Sequence, residues 1–263
     1  MKILFIGDVV GKAGRDAVAA TLPKWQWEHR PDFVIANAEN SAHGLGATAS
    51  TLKELRESGV EAFTMGDHFF DKDFGPLEPF PIVRPANLKG DHRGEGAGVF
   101  TTALHKKVLV ISLLGHAFTG PDVRSYFAEA DRLLEQFAGE PVDATVVDFH
   151  AEATSEKTAL GHYLDGKVSA VVGTHTHIPT ADTRVLTNGT AYQSDVGMSG
   201  AVESVIGFNA HNSENWLRRE LGESLKKTAP KPEDRPPHTV DAVLIDVIDR
   251  SKSRSIERLT SRQ

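Results

Sequence analysis

The sequence predicts an α/β protein, and two features carry that prediction. Short runs rich in Val, Ile and Phe, as in strands buried on both faces, alternate with longer stretches whose apolar residues recur at helical spacing. Five of the short runs stop in acidic, amide or imidazole side chains, and open α/β sheets keep their chemistry at the carboxyl ends of strands. The 263 residues, 40% hydrophobic and 25% charged, suffice for a sizeable core. No repeat, low-complexity block or linker divides them, so residues 1–263 read as a single domain.

Lys2 to Gly7 reads as the first strand, with Asp8 at its carboxyl end. Glycines follow at 11 and 14, but the Gly-x-Gly-x-x-Gly fingerprint of dinucleotide binding is absent. Arg15 to Trp27 has helical spacing, with Val18, Leu22 and Trp25 on one face. Asp32 to Ala38 is a second buried strand running into Glu39-Asn40, two oxygen donors suited to a hard cation. Ser41 to Gly46 is a flexible loop expected to line a site, and Thr48 to Ser58 a helix closed by Gly59. Val60 to Met65 is a third strand, stopping at Gly66-Asp67-His68. Phe74 to Pro85 is Pro-rich and irregular, and Asn87 reads as a turn residue.

Gly98 to Ala103 and Lys107 to Leu113 are expected in a second, antiparallel sheet. His116 beyond them is either a rim residue of the site or an ordinary loop histidine. Asp122 to Phe137 spaces Val123, Phe127, Ala130 and Leu134 as an outer helix would. Val142 to Phe149 is a β-branched strand with His150 at its end, and Glu152 to His162 the helix after it. Val168 to Val172 is the next buried strand, closed by Gly173-Thr174-His175-Thr176-His177. With the backbone still extended there, alternation turns His175 and His177 to the same side. Thr183 to Leu186 and Thr190 to Gln193 pair about Asn188-Gly189, a hairpin signal. Asp195 reads first as an Asx-turn residue and otherwise as an orienting partner of a ligand histidine. Glu214 to Lys227 reads as helix, Lys226 to Pro237 as a mobile surface loop, Val240 to Val247 as the last strand, and Ser251 to Gln263 as a basic, solvated tail.

Composition narrows the function. Without cysteine there are no disulfides, thiolate zinc sites or cysteine nucleophile, which fits a reducing cytosol. The apolar run Ile3 to Ile6 is too short for a signal peptide and no run approaches a membrane span, so a cytoplasmic protein without membrane attachment is expected. A net charge of -7 argues against stable DNA binding. An anionic substrate would then need local positive charge, which metal ions can supply.

The strand ends do point to metal. Asp8, Glu39, Asn40, Asp67, His68, His150, His175 and His177 collect at one sheet edge if the strand directions agree. That mixture of oxygen and imidazole donors suits Mn, Fe or Zn better than Mg or Ca. It exceeds the needs of one tetrahedral ion and is about right for two. Three carboxylates against two divalent ions leave roughly one net positive charge, which favours an anionic substrate and a bound hydroxide.

The ordered series Gly7-Asp8-Val9-Val10-Gly11, Asn37-Ala38-Glu39-Asn40, Gly66-Asp67-His68, His150 and Gly173-Thr174-His175-Thr176-His177 resembles the calcineurin-like metallophosphoesterases. It is most similar to their YmdB-type branch of bacterial cyclic-nucleotide phosphodiesterases, and the likeness extends through Arg84-Pro85-Ala86-Asn87 and Asp195-Val196-Gly197-Met198. The resemblance implies a four-layer α/β/β/α sandwich with a binuclear site at one edge of the sheets. By position, Asp8, Glu39, Asn40 and His177 would hold one ion. Glu39 would bridge to a second, completed by Asp67, His150 and His175, and His68 would be the general acid. The implied cofactors are two divalent transition-metal ions, Fe or Mn first and Zn next. The implied substrate is a small phosphodiester, a 2′,3′-cyclic nucleotide first, attacked by a metal-held hydroxide without a covalent enzyme intermediate.

Two departures stand out. Where the wider superfamily has a histidine two residues after the first aspartate, this chain has Val10, as the YmdB-type branch does. Where the family reads Gly-Asn-His, this chain has Asp67, which can still ligate through oxygen but adds negative charge and should lower the Lewis acidity of the second ion. Amide and lactam hydrolases also use His-x-His, but their pattern continues to Asp-His, whereas Ile178-Pro179-Thr180 follows His177. A metal-binding regulator with little turnover would keep the same ligands. A homo-oligomer is expected only because such assemblies are common.

Overall fold

Apolar alternation along β-branched runs builds two mixed sheets in the computed structural model, which describes residues 1–73, 80–90, 92–225 and 229–263. The chain opens with β1 (Lys2–Ile6), β2 (Asp8–Val9), α1 (Gly11–His29), β3 (Phe33–Asn37), α2 (Ala49–Glu57) and β4 (Ala62–Thr64). A single 3-10 turn (Asp67–Phe70) then leads to β5 (Ile82–Val83), β6 (Ala97–Thr101) and β7 (Lys107–Leu114). Next come α3 (Tyr126–Gln136), β8 (Ala144–His150), α4 (Thr154–Tyr163), β9 (Ala170–Thr174), β10 (Arg184–Val185), β11 (Ala191–Gln193) and β12 (Met198–Ala201). Helix α5 (Ala210–Glu220) precedes a long hairpin, β13 (His238–Asp249) and β14 (Lys252–Arg262).

The first sheet runs β2-β12-β13-β1-β3-β4-β5, with β14 paired to β13. Strands β1, β3, β4 and β5 are mutually parallel, so Asp8, Glu39-Asn40 and Asp67-His68 follow carboxyl ends on one edge. The second sheet runs β10-β11-β9-β8-β7-β6. It is mixed rather than antiparallel, because β7, β8, β9 and β11 run parallel and only the outer strands β6 and β10 are reversed. Alternation along each strand splits the core. Ile3, Phe5 and Ile35 pack between the sheets against Val108, Val110, Val146 and Val172. Leu4, Ile6 and Val34 face the other way, onto Val18, Leu22 and Trp25 of α1 and Leu52 and Leu55 of α2. Leu109, Ile111, Val147 and Phe149 likewise meet Ala130 and Leu133 of α3 and Leu160 of α4.

Several boundaries differ from the sequence reading. Helix α1 starts at Gly11, not Arg15. Gly14 lets it lie against β12, where an added Cβ would sit 2.3 Å from the Ser199 carbonyl oxygen. Helix α3 starts at Tyr126, because Val123 instead bridges Leu88 and Ser125 caps the helix by accepting from the Ala128 N–H. Helix α5 starts at Ala210, capped by Asn209, and stops at Glu220. The tail read as solvated is strand β14, whose backbone pairs with β13 while Ser253 and Leu259 turn inward. Residues 74–79 of the Pro-rich stretch, Asp91, and residues 226–228 of the later loop lie outside the described residues. Among the described residues no helix is long and apolar enough to cross a membrane.

Candidate metal centre

The parallel register of β8 and β9 sets His150 beside Thr174, and His150 meets Glu39 and Asp67, which follow strands of the first sheet. His150 is wholly buried, and three acceptor-type atoms crowd its Nε2: Glu39 Oε1 at 2.9 Å, Asp67 Oδ1 at 3.0 Å and His175 Nδ1 at 2.9 Å. One N–H cannot serve three such partners. Donor atoms of Glu39, Asp67, His150 and His175 all lie within 4.8 Å of one another. Asp8 is fully buried, and its Oδ1 has no hydrogen-bond partner, standing 3.7 Å from His177 Nε2 and 4.0 Å from His150 Nδ1. Asn40 Oδ1 lies 3.2 Å from the same His177 nitrogen. All eight residues singled out in the sequence therefore sit in one region, around a cleft of ≈ 330 Å³ lined by Glu39, Asn40, His68, Glu152, His175 and His177 among others.

The two histidines of the His-Thr-His stretch do not share a side by strand alternation. His175 has φ 98° and His177 φ 64°, so the chain has left the strand and coils through the left-handed region. His175 thereby reaches Asp67 and His150, while His177 reaches Asp8 and Asn40. The coil is held from below by Asp195. Its Oδ2 accepts from the Thr176 N–H at 3.0 Å, the Thr176 hydroxyl at 2.8 Å and Lys157 Nζ of α4 at 2.7 Å; its Oδ1 accepts from the Gly197 N–H at 2.9 Å. Asp195 thus makes the Asx turn expected of it, and holds the residue between the two histidines rather than either imidazole.

The outward nitrogen of each imidazole is engaged, which fixes where its inward nitrogen points. The Thr174 hydroxyl donates to Asp148 Oδ1 at 2.7 Å and so accepts from His150 Nδ1 at 2.9 Å. His177 Nδ1 donates to the Ile206 carbonyl at 2.8 Å, and His175 Nε2 stands 3.3 Å from the Glu152 carboxylate. Asp148, Thr174 and Glu152 were invisible as site residues in the sequence. Only the strand register signals the first two, since Asp148 lies two residues before His150 on a strand read simply as β-branched.

Charge is concentrated here. Burial works against the ionised form of Asp67, yet the imidazoles of His150 and His175 beside it hold its carboxyl far below the usual range. Burial also opposes protonation of His150, but Glu39, Asp67 and Asp8 push its imidazole well above the usual histidine range. Burial raises Asp148 to about 6. His68 donates no ring contact to the cluster. Its Nδ1 pairs with Asp71 Oδ2 at 2.7 Å, and despite partial burial Glu39, Asp67 and Asp71 raise its pKa. Gly66 permits the packing, since an added Cβ would lie 2.3 Å from Glu39 Oε2 and from His150 Cδ2. Two other positions are resolved plainly. Asn87 is a buried brace, bonded to the Leu114 N–H and carbonyl, and His116 lies outside the cleft lining with its N–H on Glu156.

Two mixed sheets with such residues at adjoining edges form an α/β fold related to that of a 5′-nucleotidase. The 5′-nucleotidase precursor from Thermus thermophilus matches it with a TM-score of 0.58 over 100% of this chain and 54% of that one, at 11% identity, a likeness of fold alone. The chain itself belongs to the YmdB-like protein family, whose model matches residues 4–259. It is 42% identical over 263 residues to the 2′,3′-cyclic-nucleotide 2′-phosphodiesterase of Bacillus subtilis (strain 168), covering 98% of this chain and 96% of that protein. A crystal structure of a novel phosphatase from Mycoplasma pneumoniae superposes with a TM-score of 0.88 at 32% identity, over 100% of this chain and 93% of that one.

Proposed function

We propose that this chain is a metal-dependent phosphodiesterase that opens 2′,3′-cyclic nucleotides. The observation that carries the reading is the inward convergence of His150, His175 and His177 on Asp8, Glu39 and Asp67, with the outer nitrogens of His150 and His177 held by hydrogen bonds. Three buried or half-buried carboxylates crowd together here, and Asp8 Oδ1 lacks a hydrogen-bond partner; divalent cations would satisfy both. Asp8, Asn40 and His177 would hold one ion and Asp67, His150 and His175 another, with Glu39, which lies beside His150, bridging them; the contacts within each set support this. Fe or Mn suits these donors first, Zn next. Bound ions would supply Lewis acidity toward phosphoryl oxygens and a water of lowered pKa.

The protein's own groups supply the rest. His68 lines the cleft with Nδ1 anchored on Asp71, leaving Nε2 to carry a proton to the departing ribose oxygen. The carboxylates around it favour its charged, donating form. The engaged outer nitrogens keep the ligand rings from turning. The reading includes a single α/β/β/α unit over residues 1–263, supported by the three separate cores, and a cytoplasmic setting, supported by the absence of cysteine.

Metal content of the purified protein, measured with turnover of 2′,3′-cyclic AMP and bis-p-nitrophenyl phosphate in added manganese, tests it. About two transition-metal ions per chain and turnover that His68→Ala lowers by about 10²–10⁴-fold, with metal retained, are expected. Bound metal without turnover of either substrate would transfer the site to a binding or regulatory role. No metal after reconstitution would refute the centre itself.

A further inference from the structure

We propose that the apolar groove walled by Ile206, Phe208, Trp216 and Leu217 holds the nucleobase of the substrate while its phosphodiester lies in the neighbouring cleft. This rests on the phosphodiesterase reading above. The groove measures ≈ 420 Å³, within the range of small-ligand sites. It adjoins the cleft, because Ile206 and Phe208 line both.

The shared wall is built at a conformational cost. Val205 and Phe208 exchange both backbone hydrogen bonds, at 2.8 and 2.9 Å, around Ile206 (φ 47°) and Gly207 (φ 92°). Positive φ at both central residues is the type I′ arrangement, which favours Asn, Asp or Gly at its first position. A β-branched residue there is strained, and Ile206 occupies it. Its carbonyl fixes His177, and its side chain divides cleft from groove. Phe208 is seated from the other side by Gly44, where an added Cβ would lie 2.7 Å from the ring. Metal-site imidazole and groove wall are thus one mechanical unit.

The opposite wall is helix α5. Ser213, Trp216 and Leu217 recur at helical spacing and all line the groove. Trp216 is 41% and Leu217 47% exposed, although both are large and apolar. Among the described residues no charged side chain lines this groove, so a second phosphate has nothing to bind there. A planar, uncharged ring does, since aromatic side chains stack on any base. Ser213 is the one hydroxyl among the described lining residues, and it is buried, so base identity is read weakly and purines gain from their larger face.

The test compares kcat/KM for 2′,3′-cyclic AMP with that for ribose 2′,3′-cyclic phosphate, which lacks the base. Trp216→Ala should lower that ratio about tenfold, through KM for the nucleotide. Saturation-transfer NMR should show adenosine binding to the wild-type protein and its loss in Trp216→Ala. A ratio unchanged in both Trp216→Ala and Phe208→Ala, or adenosine binding indifferent to Trp216, overturns the proposal. So does a concentration-dependent oligomer in sedimentation that Trp216→Ala dissolves, which would assign the groove to a second copy of the chain. Trp216-dependent adenosine binding without turnover of either ester would keep the groove as a nucleoside site and refute the phosphodiesterase reading alone.

Discussion

Replacing Lys157 with methionine should unsettle a loop the lysine never touches directly. Lys157 Nζ is 2.7 Å from Asp195 Oδ2, with side chains only 3% and 1% exposed. Removing one partner of a buried pair costs about 3–5 kcal/mol, because the other charge stays buried. Asp195 keeps its bonds from Thr176 and Gly197, which places Lys157→Met at the lower end, about 3 kcal/mol. In a chain of this size that is a fall in melting temperature of roughly 6–12 °C. Calorimetry on chelator-treated protein reads it directly. Adding Asp195→Asn should recover part of the loss, since no unpaired charge then remains. A fall under about 2 °C, or a double variant no better than Lys157→Met alone, would refute the clamp.

Other positions make sharper local predictions. Gly66→Ala should abolish manganese binding in titration calorimetry while leaving the far-ultraviolet dichroism intact, because the new methyl collides with Glu39 and His150. Retained binding would mean that the turn yields. Thr174→Val removes the acceptor that sets the His150 tautomer, and should weaken manganese affinity by about 10–100-fold. Asp241 in β13 is held above the usual carboxylate range by burial, against the pull of the Thr260 hydroxyl at 2.8 Å. The unfolded chain therefore ionises first, and stability falls as pH rises from about 4 through the folded value. Asp241→Asn should flatten that decline in melting temperature against pH; an unchanged slope would place its cause elsewhere.

Much of the architecture could be read from the sequence because apolar runs and their polar ends are local signals. Asp8, Glu39, Asp67 and His150 each follow a run whose burial is plain from composition. What failed depends on partners far along the chain. Nothing in Lys252 to Arg262, with Ile256 and Leu259 its only large apolar residues, announces a strand; the backbone of β13 supplies that. The coil at His175 and His177 carries no glycine at either position, so its positive φ angles are legible only once Asp195, itself held by Lys157, is seen gripping Thr176. Glu152 and Asp148 likewise acquire meaning through the imidazoles they face.

The place of β1 in its sheet bears on how the protein is made. Ile3 pairs on one side with Phe33, close in sequence, and on the other with Ile245. On a translating ribosome the first neighbour arrives almost at once. At 5–20 residues per second the second follows roughly ten to forty seconds later. Throughout that interval the nascent chain carries a bare strand edge of Ile, Leu and Phe, a template for wrong pairing. Holdase chaperones should therefore crosslink to nascent chains stalled before residue 238 and release those stalled well beyond 249, once β13 has closed the sheet.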